Sequence, residues 1–304
     1  MILDRGLVVS ATQKLQEAGI DSAENDATLL LEFATDAEHF YELVTQRASR
    51  IPLQHLTGIA YFRHLELDVG PGVFVPRPET ELLAQVAIDC VPKMLAERLA
   101  IAEVKASVFK PIVFDLCAGS GAVALSVATE LLNVSVHAVE VSDDALPWLI
   151  QNTEKCAAKT EANNSRVTVH AIDATATEKF SQWFNTVDVV LSNPPYIPDA
   201  MIPRDPEVRE HDPQLALFGG PDGLDVPTRV AATAASLLKS GGVFAMEHAD
   251  VQGEGDAGLP AVLRAMTDDA GNSVWQEVLD HNDYNGLPRF TTAIRTTRPS
   301  EVQG

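Results

Sequence analysis

Cysteine, positive charge and long apolar runs are all scarce in this 304-residue sequence, and each shortage argues against a class of protein. Cys90, Cys117 and Cys156 are too few and too scattered for a disulfide framework or a zinc site, so no metal is expected. Only 22 lysines and arginines face 43 acidic residues, for a net charge of −21. Such a surface repels phosphate backbones, and direct nucleic-acid binding is not expected. No apolar run approaches the ~18 residues of a membrane span. The start, Met1-Ile2-Leu3-Asp4-Arg5, lacks the basic and apolar regions of a secretory signal, so a cytoplasmic address is expected. What is present is 46% hydrophobic residues and a mean hydropathy of +0.02. That is the balance of a soluble globular chain, long enough for about two domains.

Residues 1–50 carry helical periodicity and no strand signal. Leu7, Val8, Ala11, Leu15 and Ala18 recur at three- and four-residue spacing, and Gly19 stops the segment. Asp21 or Ser22 then caps a second helix with Ala23, Ala27, Leu30, Leu31 and Ala34 on its apolar side, and a third helix runs from about Ala37 to Gln46. A small bundle is predicted, without a catalytic constellation. A structural cap and a partner-binding domain both fit it. The second is preferred, because a bundle set apart from a chemical site usually handles a macromolecule.

Residues 51–80 read as a short helix or turn followed by a β-hairpin linker, with Ala60-Tyr61-Phe62 and Leu65 to Val69 flanking Arg63-His64. Pro76 and Pro78 hold the next entry extended, and Pro78 suits the first turn of a helix from about Glu79. Glu79 and Glu81 suit its positive end. Glu79 and Thr80 are candidate substrate contacts, although spacing alone does not place them in a pocket. The third region, residues 81–304, continues helical to about Lys110 with an ill-defined insert near residues 96–107. Strand–helix alternation follows, the sign of an α/β fold with a parallel sheet. Strands are expected at 111–116, 134–140, 166–172, 187–192, 242–247, 274–279 and 290–295, with helices between most of them.

Asn193-Pro194-Pro195-Tyr196 follows the apolar run Val187 to Ser192, which reads as a buried parallel strand. The ends of such strands form the ligand-bearing edge of an open sheet. Two prolines there fix their own φ, remove two donors and hold the preceding residues extended. The Asn193 side-chain carbonyl and the Pro194 backbone carbonyl make two stiffly held acceptors, matching the donors of a planar NH2 group. Tyr196 supplies a flat face and a hydroxyl. A carboxamide nitrogen is a poor nucleophile, and gripping both its N–H groups aims its lone pair. A plain turn after a strand is the alternative, and four residues do not decide between them.

Gly119-Ser120-Gly121-Ala122-Val123-Ala124 fits G-x-G-x-x-G/A, and Glu140 stands about 20 residues on at a strand end. Glycines there let a ligand approach the backbone, and the acid suits both ribose hydroxyls. Alone, the loop fits a dinucleotide or an S-adenosyl ligand. Asp115, just before it, favours the second, because a carboxylate meets an ammonium and repels a pyrophosphate. Asp173 ends the third strand where an adenine amine is in reach.

With an S-adenosyl-type loop and an NH2-gripping tetrapeptide in one sheet, the chain resembles the release factor glutamine methyltransferases, the HemK/PrmC group, over nearly its whole length. The likeness rests on residues 51–58 (Ile-Pro-Leu-Gln-His-Leu-Thr-Gly), on Val75-Pro76-Arg77-Pro78-Glu79-Thr80-Glu81, on Asp115 to Gly121, on Ser192 to Pro198, and on Leu215 to Leu224. Asn-Pro-Pro-Tyr is shared with DNA adenine methyltransferases, an alternative acceptor class. The Pro-Arg-Pro-Glu-Thr-Glu and Gly-Gly-x-Asp-Gly-Leu stretches are more specific. The resemblance implies a helical N-terminal domain, a hairpin and a seven-stranded, Rossmann-like S-adenosylmethionine-dependent methyltransferase domain. It implies methylation of the glutamine side-chain amide in the Gly-Gly-Gln motif of peptide chain release factors. By position, the cofactor would touch Cys117, Ala118, Gly119, Ser120, Gly121, Glu140, Asp173, Ala174 and Asn193, and the glutamine would be held by Asn193, Pro194, Pro195 and Tyr196. Cys117, Glu140 and Ala174 depart from the family's common glycine, aspartate and aromatic residue. Glu247-His248-Ala249 is less typical of the family, and His248 is read as a packed core histidine.

Overall fold

The computed structural model describes residues 5–102 and 109–297. Helices α1 (Arg5–Glu17), α2 (Ala23–Phe33) and α3 (Ala37–Ala48) bury the stripes the periodicity selects, joining Ala11, Leu15, Ala27, Leu30 and Phe40 in one core. Gly19 closes α1 at φ 74°. Ser22 precedes α2, but its hydroxyl bonds the Asp26 carboxylate at 2.8 Å rather than a backbone amide.

After α4 (Leu53–Thr57), strands β1 (Ile59–Phe62) and β2 (Leu65–Asp68) form the antiparallel hairpin. Its inner residues Phe62, Leu65 and Leu67 share a core with the helices that cover the large sheet. Arg63 in the turn grips both oxygens of Glu130 at 2.7 and 2.8 Å. The hairpin is therefore clamped to the sheet domain, because its apolar face has no other surface on which to leave water.

A 3-10 turn (Pro78–Thr80) leads into α5 (Glu81–Ala102). Residues 103–107 of the expected insert lie outside the described residues. The alternation then resolves into β3 (Ile112–Leu116), α6 (Ala122–Glu130), β4 (Ser135–Glu140), α7 (Leu146–Ala162), β5 (Arg166–Ala171) and β6 (Val187–Ser192). It continues through α8 (Pro206–His211), α9 (Asp225–Leu237), β7 (Leu238–Glu247), α10 (Leu259–Ala265), β8 (Trp275–Asn282) and β9 (Pro288–Arg295). The seven strands lie in the order β5-β4-β3-β6-β7-β9-β8. The first five are parallel, and β9 pairs antiparallel with both β7 and β8. One apolar core lies under α5, α6 and α7, and a second lies under α9 and α10.

Two elements differ from the expectation. β7 starts at Leu238 rather than Gly242, because Val187 pairs with Leu238 across a bulge that hydropathy does not register. α8 had no apolar periodicity to announce it; Pro206 at its first turn and Asp205, which accepts from the Glu207 amide at 3.2 Å, start it instead.

Candidate active site

Strand register assembles the site. β3 sits beside both β4 and β6, so the chain turns in opposite directions from it, which makes this the switch point of the sheet. Leu116 pairs with Val139 on one side and Ser192 on the other, and Ser192 pairs with Met246. The residues one step beyond these pairs, Cys117, Glu140, Asn193 and Glu247, therefore come out at one edge. A cavity of about 510 Å³ opens there, walled also by the segment 213–218 and by Phe74 and Arg77.

One half of the cavity is anionic. Asp115, Cys117, Ala118, Gly119, Ser120, Glu140, Asp173 and Ala174 all line it. Gly121 does not; it precedes α6 at φ 88°, and a side chain there would press Leu149. Asp115 is buried, with one oxygen taking the Ala124 amide at 2.9 Å. Burial, and then the nearby Glu140 charge, push its carboxyl up to about 7. Burial likewise raises the Cys117 thiol, keeping it protonated and unreactive. Glu140 accepts from the amides of Gly119, Val141 and Ser142 at 2.8–2.9 Å. Those bonds fill three of a carboxylate's roughly four acceptor positions, leaving one for an incoming hydroxyl. Asp173 closes a turn onto Thr175. Asp115 and Glu140, buried and with no cation paired to either among the described residues, suit a positively charged ligand and disfavour a pyrophosphate.

The other half is the Asn193 turn. Asn193, Pro195 and Tyr196 line the cavity, while Pro194 is buried behind them. Thr80 also faces the cavity, but Glu79 is not part of its wall. The Asn193 amide donates to the Thr80 hydroxyl at 3.3 Å. Thr80 donates to Glu247 at 2.7 Å, and the Tyr196 hydroxyl donates to the other Glu247 oxygen at 3.1 Å. The Gly219–Gly223 loop packs on the same turn: the Ile197 amide donates to the Leu217 carbonyl at 2.8 Å, and the Gly219 amide donates to the Ile197 carbonyl at 2.9 Å. Gln252 clamps the two, donating to the Tyr196 and Asp222 carbonyls.

The outer wall is tied to the helical bundle. Arg47, buried, bonds Asp26 and Glu207 at 2.7 Å each, and Arg50 bonds the second Glu207 oxygen at 2.5 Å. Burial opposes the Glu207 charge, yet hydrogen bonds with Asp205, Arg47 and Arg50 outweigh it and hold the carboxyl well below the usual range. Arg77 bonds Asp212 at 2.7 Å, at the far end of α8. Glu207→Ala removes a shared carboxylate partner from both arginines, leaving Arg47 with Asp26 and the Ile51 carbonyl and Arg50 with the Ala18 and Gly19 carbonyls and the more distant Asp205. Breaking a buried pair costs about 3–5 kcal/mol. The expected outcome is a lower melting temperature and a raised KM for a macromolecular acceptor, with affinity for the small ligand kept; melting curves and steady-state kinetics check it.

Comparison with known proteins decides the family. The sequence is 44% identical over 301 residues to a release factor glutamine methyltransferase of Streptomyces coelicolor, covering 94% of this chain and 96% of that protein. It is 36% identical over 306 residues to the Mycobacterium tuberculosis H37Rv protein of the same description, covering 94% and 89%. The chain belongs to the release factor glutamine methyltransferase family. Residues 79–203 match the family described as methyltransferase small domain. A 4-amino-L-phenylalanine/4-methylamino-L-phenylalanine methyltransferase of Streptomyces pristinaespiralis is 36% identical over 272 residues, covering 84% and 85%.

For this methyltransferase family member, sequence reasoning missed Glu247, Gln252, Arg77 and Asp212 as parts of the site. Arg77 and Glu247 lay inside quoted stretches without a role. Nothing local in sequence marks Gln252 or Asp212, whose partners lie 56 and 135 positions away. His248 is fully buried between Asp280 and the Ala249 carbonyl, the packed histidine expected.

Proposed function

We propose that this protein methylates the side-chain amide nitrogen of the glutamine in the Gly-Gly-Gln motif of peptide chain release factors. The observation that carries the reading is the cavity itself: an acid-lined half continuous with a rigid turn whose asparagine lines the wall with its NH2 end tied back to Thr80. Family membership over nearly the full length supports the acceptor. S-adenosylmethionine, when bound, supplies an electrophilic sulfonium methyl and leaves as S-adenosylhomocysteine. Asp115 would hold the ammonium end, Glu140 a ribose hydroxyl, and the Asp173–Ala174 turn the adenine. Ala174 offers no ring to stack on, so the adenine contact is carried by shape and polar groups.

The chain's own residues then position the acceptor. The Asn193 oxygen would accept one amide N–H at the cavity wall, the backbone carbonyl of the otherwise buried Pro194 would accept the second, and Tyr196 would pack on the plane. They stabilise the positive charge that grows on nitrogen. Holding reactants in attack geometry can supply roughly 7–11 kcal/mol of the barrier. No general base is assigned, because a methylated, protonated amide is acidic enough to lose its proton to water. The helical bundle is proposed to grip the release factor next to the cavity wall it braces. No helix among the described residues is long and apolar enough to cross a membrane. The net charge of −21 disfavours DNA as the acceptor.

The test is methyl transfer from labelled S-adenosylmethionine to purified release factor, beside one whose Gly-Gly-Gln glutamine is replaced. Label on the first alone is expected. Label on neither, with donor still bound, would reopen the acceptor, and an arylamine or DNA adenine would be tried next.

Asp115→Asn separates binding from stability. The native carboxyl titrates near 7 against an ordinary 3.8, so the native state holds the extra proton. The stability this group contributes is present below its unfolded value and lost as pH rises through about 7. Asparagine keeps an acceptor for Ala124 without the buried charge. The variant is expected to melt higher, with a larger gain at pH 8 than at pH 5, at about 2–4 °C per kcal/mol recovered. Its donor affinity is expected to fall about 10–100-fold, the worth of a charge-assisted bond. Thermal melts and calorimetry check both signs.

A further inference from the structure

We infer that Glu247 is a positioning residue that sets which way the Asn193 amide faces, acting through the single proton of the Thr80 hydroxyl. The inference rests on the reading that Asn193 grips an NH2 group through its carbonyl oxygen.

An asparagine side chain is nearly symmetric in shape, with a donor at one end and an acceptor at the other, and only its partners choose between the two orientations. Thr80 has one proton to give. An ionised Glu247 has none and accepts only, so Thr80 must donate to it, along the 2.7 Å bond. The Thr80 oxygen is then left as an acceptor, and the Asn193 group 3.3 Å away must be the NH2 end. The carbonyl end is thereby turned away from Thr80, free for the acceptor's N–H. Tyr196 is oriented by the same carboxylate, since its hydroxyl spends its proton on the other oxygen. One buried acid thus fixes the polarity of both side chains in the tetrapeptide.

The surroundings make this a proton-dependent setting. Glu247 is buried on β7, with Thr80 from the turn before α5 and Tyr196 from the turn after β6 on its two oxygens. Arg289, from the start of β9, favours its charge but is itself paired with Asp283 at 3.1 Å, and Glu79 opposes it. The next residue, His248, spends its ring on Asp280 of β8. Burial outweighs the hydrogen bonds from Thr80 and Tyr196 and the Arg289 charge, and holds the carboxyl at about 7. A protonated Glu247 can donate to Thr80, which then can donate to Asn193 and stabilise the flipped amide. Its NH2 end would face an NH2 group, a donor against a donor. Turnover is therefore expected to fall as pH drops through the Glu247 transition. Asp115 titrates in the same range, but its effect falls on donor affinity and is removed at saturating donor.

The experiment measures kcat against pH at saturating S-adenosylmethionine on release factor, for wild type, Glu247→Gln, Thr80→Val, Thr80→Ser and the Gln/Val double variant. Wild-type turnover reports on the acceptor assignment independently: without it, the proposed function fails and not this inference. Glu247→Gln and Thr80→Val are each expected to lose about 10–100-fold in kcat, as small misplacements do. Donor affinity by calorimetry should stay within a few-fold of wild type in both. The acid limb should flatten in Glu247→Gln, the double variant should be no worse than the singles, and serine at position 80 should recover most of what valine loses. Wild-type kcat in Glu247→Gln, an unchanged acid limb, or losses that multiply in the double variant would each overturn the inference.

Discussion

Asn193→Ala is expected to cut turnover about 10²–10³-fold, the loss seen when one preorganised partner of a developing charge is removed. Donor affinity should change far less, because the anionic half of the cavity is built from β3, β4 and β5 and does not depend on that side chain. The reason for the split lies in the contacts. The Asn193 NH2 group is tied back to Thr80, so its carbonyl is committed to the acceptor before anything binds. Alanine removes the acceptor group and leaves Thr80 and Glu247 intact behind it. Single-turnover transfer and donor calorimetry measure the two quantities separately. Unchanged turnover would remove Asn193 from the mechanism.

Gly223→Ala should do nearly as much damage from a residue that touches no substrate. Gly223 stands at φ 79°, where a side chain is strained by roughly 1–2 kcal/mol. A Cβ there would also overlap the Tyr196 carbonyl oxygen and press within 2.7 Å of the Gln252 amide. Neither neighbour yields cheaply, since the first is backbone and the second is the clamp between the loop and the turn. Something must shift, and the Asn193–Tyr196 turn is what the loop leans on. A displacement of about 1 Å in a reacting group can cost about 10²-fold, so kcat should fall by that order while the fold survives. Circular dichroism and donor binding would stay close to wild type if the damage is local. Alanine at the neighbouring Gly219 predicts the same sense of effect, its Cβ meeting the Pro195 carbonyl at 2.5 Å.

These two glycines show how the motif outside the tetrapeptide works. Read as a string, Gly219-Gly220-Pro221-Asp222-Gly223-Leu224 is a turn-rich loop with a family likeness. In the folded chain it is the buttress that lets two backbones touch, and the absent side chains are the functional feature. Nothing local in the sequence singles out Glu207, yet Arg47 and Arg50 fold onto it and join the helical bundle to the cavity wall.

The division between what sequence and tertiary structure decided follows from the range of the forces. Periodicities of 3.6 and 2 are local, so the helical start, the hairpin, the alternating strands and the glycine loop were all legible residue by residue. The stiffness of the Asn193 to Tyr196 turn was legible too, because two consecutive prolines act on their covalent neighbours. Register is not local. Ser192 pairs with Met246 because whole apolar strands settle against one another, and that pairing alone sets Glu247 beside Asn193. The same holds for Gln252 on Tyr196 and Arg47 on Glu207, contacts that span 56 and 160 positions. Such pairs gain their strength from burial away from water, and burial is a property of the packed chain rather than of any stretch of it.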